Sequence, residues 1–198
     1  MGEKVLVVRS DELPRPLVGQ RFKALPEEEI LRHHGSVEVV ALDRNLAEGD
    51  PSYRQLVTCT ALHHNYRWLT HAHPSTGDAL ASAHQRSLIV SDVIRAGDRT
   101  PLFLDDRFAV AAACTVDGAV LIAGGYDLWL AGLIDNACNE FGRTPLGLVY
   151  VARLKQPGAA PRDPGISDIA FCGNGDLRIE HDRFEPWSRI LIDHLDAL

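Results

Sequence analysis

The chain has no C-x-x-C pair. Its four cysteines, Cys59, Cys114, Cys138 and Cys172, lie far apart. A structural zinc site or a disulfide framework needs closely spaced pairs, or a small secreted chain short of core. Reduced thiols, mostly buried, are therefore expected, Cys114 among the buried ones. No apolar run approaches the roughly 18 residues of a membrane-spanning helix. No run of five basic residues occurs, and the formal net charge is −7. That balance opposes non-specific binding to nucleic acid, which depends on cations neutralising phosphates. A G-x-S-x-G elbow, a Walker-type loop and internal repeats are also missing. Ala123-Gly124-Gly125-Tyr126 is too short for a dinucleotide fingerprint and suits a helix end or tight turn. The first residues lack the cationic start and cleavage site of a signal peptide. Leu6 stands where a myristoylation motif wants Ser or Thr. The expected location is cytoplasmic.

What is present suits a soluble α/β chain. A hydrophobic share of 45% beside 24% charged residues in 198 positions is enough for one substantial core. A single domain over residues 1–198 is expected. Lys4–Val8 reads as a short strand, and Pro26 with three glutamates starts a helix that ends near Arg32, His33 and His34. Ser36–Leu42 is a valine-rich strand, and Asp43–Pro51 a turn-rich connection. Leu56–Leu62 and Arg67–Ala72 flank His64-Asn65-Tyr66 and suggest a hairpin. Ser75–Asp78 reads as a loop and Ser87–Ile94 as a strand. Asp105–Val120 is the best central helix. A strand ends at Val149–Arg153, and 156–165 is a proline-rich surface loop. Ile169–Cys172 is a short strand. Trp187, Ile190, Leu191 and Leu195 recur at helical spacing near the C-terminus. Strands around few helices, with hairpins and crossovers, predict an α/β (α+β) mixed sheet between helices.

The most informative stretch is Gly132–Val151, which reads as a loop bearing Asp135, Asn136, Asn139 and Glu140, a Gly142-Arg143 turn, and a strand. It resembles the segment that follows the catalytic helix in the predicted-phosphoesterase branch of the Nudix (MutT-like) hydrolases. Other pieces resemble the same branch in the same order. They are Glu3–Val8, Glu48–Leu56 with its Asp-Pro-Ser-Tyr, Ser87–Ile94, and Phe184–Leu191 with its Trp-Ser. The resemblance implies a Nudix-like mixed sheet sandwiched between helices. It also implies a helix bearing an Arg-Glu pair and further glutamates that hold magnesium.

The departures lie on that helix. The register that keeps the aliphatic positions puts the Arg-Glu pair on Cys114 and Thr115, the aliphatic on Val116 and the double glutamate on Gly118 and Ala119. The first glutamate falls on Asp106, and Asp117 is the only acid between residues 108 and 126. The family's upstream Gly-Gly falls near Ser91-Asp92. Magnesium wants carboxylate and phosphate oxygens in near-octahedral geometry, and Thr115, Gly118 and Ala119 offer no carboxylate. No metal cofactor is expected from the box. Mg or Mn enters only if other groups replace its acids, the catalytic candidates being Asp106, Asp117, Asp135 and Glu140. Asp105-Asp106 equally suits a helix N-cap and first turn. Ser91, Asp92, Asn136, Asn139 and Arg143 are candidate ligand-binding residues, Arg143 for its planar guanidinium.

His71 and His73, two apart on a strand, point to one face and could share a metal, with Asp78 or His84 as a third ligand. The plainer reading is a solvated polar face of Thr58, Thr60, His64, Arg67, His71 and His73, with the two threonines opposite the histidines. Three functions stay open. The first is a Nudix-fold binder of a phosphate-bearing or nucleotide-like ligand, or of a protein partner. The others are a divergent phosphoesterase or pyrophosphohydrolase, and a structural protein. No nucleic-acid or membrane partner is expected, and a homodimer is one option.

Overall fold

The computed structural model describes residues 2–13, 21–24, 37–72, 85–96, 107–135 and 145–198. The expected helix from Pro26 and the loop Ser75–Asp78 lie outside these residues. The first strand, β1 (Lys4–Arg9), is a valine-rich run that pairs antiparallel with β3 (Val39–Asp43), and β2 (Phe22–Ala24) precedes β3. The expected connection after Asp43 is instead a short helix, α1 (Arg44–Gly49). Asp43 caps it by accepting from the Asn45 N–H, and Arg44 pairs with Glu48 one turn on.

The organising element is β4 (Tyr53–His64). It turns through Asn65-Tyr66 into β5 (Arg67–Ala72), and both turn residues have positive φ, 47° and 59°. That is the type I′ geometry whose twist suits a two-residue hairpin. Pairing across the hairpin is confined to His63↔Trp68 and His64↔Arg67. Beyond it, β7 (Ile89–Val93) takes over the same edge of β4 from Val57 to Ala61. β1 then takes the edge at Tyr53–Gln55. β5 diverges to pair with β6 (Arg86–Ser87) and β12 (Ser167–Gly173). On its other edge β4 runs parallel to β10 (Leu146–Leu154), which pairs antiparallel with β9 (Tyr126–Asp135). β2 follows β9.

The helix α2 (Arg107–Ala119) comes between β7 and β8 (Val120–Ile122). Gly124 and Gly125, with φ of 74° and 78°, turn β8 into β9. Part of the expected loop at 156–165 is a strand, β11 (Ala159–Pro161), paired with β8. Two short helices, α3 (Asn174–Ile179) and α4 (Pro186–Asp193), end the fold. Pro186 stands in the first turn of α4, and the Glu185 carboxylate accepts from the N–H groups of Trp187 and Ser188.

Strand alternation assigns the two faces. Leu56 and Leu62 of β4 pack on the α2 side with Leu148, Ala112 and Val116. Cys59 and Ala61 pack on the other side with Val149, Val151, Ile190 and Leu191. Gly147 marks how closely α4 approaches: a Cβ there would stand 2.8 Å from the Trp187 ring. The mixed sheet is sandwiched between α2 and the C-terminal helices, as the resemblance implies.

Candidate functional site

The alanine-rich sequence of α2 determines what the helix can offer. Ala111, Ala112, Val116 and Ala119 are buried against the sheet, while Cys114, Asp117 and Gly118 face solvent. The expectation that Cys114 is buried is thereby corrected: two residues from the buried Ala112 and two from the buried Val116, it lies on the opposite, outer face. Thr115 is half-buried. Its hydroxyl donates to the Ala111 carbonyl at 2.9 Å and stands 3.2 Å from the Thr58 hydroxyl on β4. Thr58 also reaches the Asp92 carbonyl at 3.2 Å.

Asp117 is held at the C-terminal end of α2. Its carboxylate accepts from the Tyr126 hydroxyl at 3.1 Å, and its backbone carbonyl accepts from the Arg162 guanidinium. The Arg162 and Asp163 N–H groups both donate to the Ala119 carbonyl, at 2.9 and 3.1 Å. Burial, and then the Asp117 charge, push the Tyr126 hydroxyl far above its ordinary range. The segment after β11 thus caps the helix end where the family alignment puts the paired glutamates.

On β7, Ser91 is exposed and Asp92 half-buried. The Asp92 carboxylate accepts from Arg95 at 2.6 Å and from the Val93 N–H at 2.7 Å. Arg95 continues to Glu3 at 2.6 Å, and Glu3 to Arg44 at 2.9 Å. Asp92 first and Glu3 next raise the Arg95 pKa well above its usual value. Arg44 and then Arg95 hold Glu3 below the carboxylate range. The chain of charges ties the first strand to the end of β7.

Asp135, expected in a loop, is the last residue of β9. It is 3% exposed and forms an ion pair with Arg54 of β4, itself 8% exposed. Its N–H donates to the Arg21 carbonyl at 3.1 Å. Arg54 escaped the sequence reading because nothing local marks an arginine at a strand start as the partner of an acid 81 positions away.

His71 is fully buried on β5, and its Nε2–H donates to the Ile89 carbonyl at 3.0 Å. The expected solvated face is corrected as well. Thr58, Thr60 and His71 are all inside, and the threonines pair with Asp92 and Val90 of β7 rather than with the histidine strand. The physical reason is the early divergence of β5 from β4. Asp78, His73, His84, Asp105, Asp106, Asn136, Cys138, Asn139, Glu140 and Arg143 lie outside the described residues. Among the described residues, no three of His, Cys, Asp and Glu are grouped closely enough to hold a metal ion. The structure brings Asp92, Thr58 and Thr115 together, and gives Asp117, Asp135 and His71 separate partners.

Comparison with solved structures identifies the architecture. Tm1382, named as a candidate Nudix hydrolase, superposes with a TM-score of 0.77 at 20% identity, over 98% of both chains. A Nudix hydrolase from Nitrosomonas europaea gives 0.51 at 14% identity, over 73% of this chain and 90% of that one. The Nudix domain of Shewanella oneidensis NrtR, solved with ADP ribose, gives 0.50 at 8% identity, over 87% and 96%. No family model and no curated protein sequence matches the chain. The protein has the Nudix fold.

Proposed function

We propose that this protein uses the Nudix fold to bind a phosphate-bearing, nucleotide-like ligand without magnesium-dependent hydrolysis. The observation that carries the reading is the donor set on α2. Its one carboxylate beyond residue 107, Asp117, accepts from Tyr126. Thr115 turns its hydroxyl toward Thr58, and the Ala119 carbonyl is taken by two backbone N–H groups. These groups do not fit magnesium, which in phosphate-processing sites takes carboxylates together with substrate oxygens. Gly118 is exposed, and among the described residues a Cβ there would meet nothing within 4 Å, so none of them fills the outer face of the helix at that point.

The ADP ribose bound to the Shewanella oneidensis domain makes that compound the first probe. The test is a hydrolysis screen of nucleoside-diphosphate-linked compounds and dinucleotide polyphosphates, run with Mg²⁺, with Mn²⁺ and with EDTA. Each compound is also titrated calorimetrically. Binding that survives EDTA, without turnover, is the expected result. Turnover that EDTA abolishes would overturn the reading and assign the metal to other acids, Asp106 and Glu140 first. Absence of binding to every compound would also overturn it and leave a protein partner as the occupant of the fold.

A further inference from the structure

On the sheet face turned away from α2, the ends of β9, β10 and β4 carry Asp127, Arg153 and His63 in register. One step along, Trp129 lies beside Val151, and Val151 beside Ala61. Trp68, opposite His63 on β5, closes the strip. The rings touch: His63 lies 5.0 Å from Trp68 and 6.2 Å, edge to face, from Trp129. Contact with Trp129 spans β10, so the two side chains lean together over Val151.

The three tryptophans of the chain are not equivalent. Trp68 is buried, with its indole N–H donating to Asn174 at 2.9 Å, and Trp187 is half-buried against Gly147. Trp129 leaves 37% of its surface in water, on the stretch of β9 beyond Gly132 where β2 no longer pairs with its outer edge. One same-face step along β9 from it, Asp127 is shared by two cations, Arg153 and Lys155, at 3.0 and 3.5 Å. The surplus is positive in a chain whose net charge is −7. Burial, then Arg153, hold the His63 pKa below its usual value, so its ring stays neutral at pH 7. Among the described residues, its buried Nδ1 has no hydrogen-bond partner.

We propose that this strip is a binding site for a planar aromatic anion, with the aromatic ring stacked on Trp129 and the anionic group on Arg153 and Lys155. A purine mononucleotide is the simplest member of that class. An indole face accepts any planar base, and a guanidinium binds phosphate through paired N–H donors. The local excess of positive charge selects the anion over a neutral ring. The site is separate from α2 and does not depend on the function proposed above.

The probe is AMP, titrated into the full chain while tryptophan emission is followed, with equilibrium dialysis in parallel. Saturable quenching is expected, and adenosine or inorganic phosphate alone should need at least ten-fold higher concentrations. Trp129→Ala should weaken binding ten-fold or more by dialysis. Arg153→Gln should weaken it several-fold and flatten its salt dependence. If Trp129→Ala fails to fold, Arg153→Gln, which changes a side chain 62% exposed, carries the test alone. Unsaturable AMP, or undiminished binding in a folded variant, would overturn the proposal. A wild-type dimer that Trp129→Ala makes monomeric and AMP leaves unchanged would overturn it too, and assign the face to a second copy of the chain.

Discussion

Thr115 on α2 and Thr58 on β4 hold their hydroxyl oxygens 3.2 Å apart, inside the layer between helix and sheet. The family register puts a glutamate at Thr115, on a helix meant to present carboxylates to a metal. Here the helix uses that position to pack. Thr115→Val should therefore cost about 1 kcal/mol of stability, the usual net value of a lost hydrogen bond. It should leave ligand affinity unchanged. Chemical denaturation and calorimetric titration check the two halves; a large loss of affinity in the folded variant would place Thr115 in the binding site.

Asp135 and Arg54 form a buried ion pair. Removing one member of such a pair leaves a desolvated charge behind and typically costs about 3–5 kcal/mol. Asp135→Ala is expected to lower the unfolding free energy by that order in urea. A variant as stable as the wild type would return Asp135 to the list of free acids available for chemistry.

The cysteines should separate by reactivity. Cys114 is exposed and Cys59 buried, and burial raises the Cys59 thiol well above its ordinary pKa. Only thiolate attacks a labelling reagent efficiently. Mass-spectrometric mapping after brief iodoacetamide treatment should find Cys114 modified and Cys59 untouched until denaturant is added. Equal labelling of both in the native state would contradict the packing of α2 and β4.

His63 sets a pH dependence with a defined sign. Its folded pKa lies below the reference value of 6.5, through burial first and then Arg153. As pH falls through 6.5 the unfolded chain takes up this proton while the folded chain resists it. Stability therefore declines below about pH 6.5 and the loss levels off beneath the folded pKa. His63→Gln should remove that part of the slope. The check is the difference between wild-type and variant unfolding free energies from pH 7.5 to 4.5; parallel curves would show that His63 is not protected.

Much of the fold was legible where the signals are local. Asn65-Tyr66 between two apolar runs located the hairpin, Lys4–Val8 the first strand, and the Trp187–Leu195 spacing the last helix. β9 was hidden because the register shift at Val149/Tyr150 leaves Ala131 as an extra residue, so the alternation of Tyr126–Leu130 reverses before Asp135. The polar-face reading failed for a non-local reason: β7 displaces β5 from β4 after two pairs. Cys114 was misplaced because alanines flank both faces of α2, and composition alone does not reveal the helical phase. Arg54 and Arg162, which hold Asp135 and the end of α2, act across the fold and have no sequence signature.

The most direct test of the account is ³¹P NMR of ADP ribose mixed with an equimolar amount of the protein in excess Mg²⁺. Diphosphate resonances that shift or broaden on binding and persist for hours, with the same perturbation in EDTA, are the expected result. Monophosphate resonances that appear with Mg²⁺ and not with EDTA would contradict it, and would show that this Nudix fold still hydrolyses its ligand through a metal.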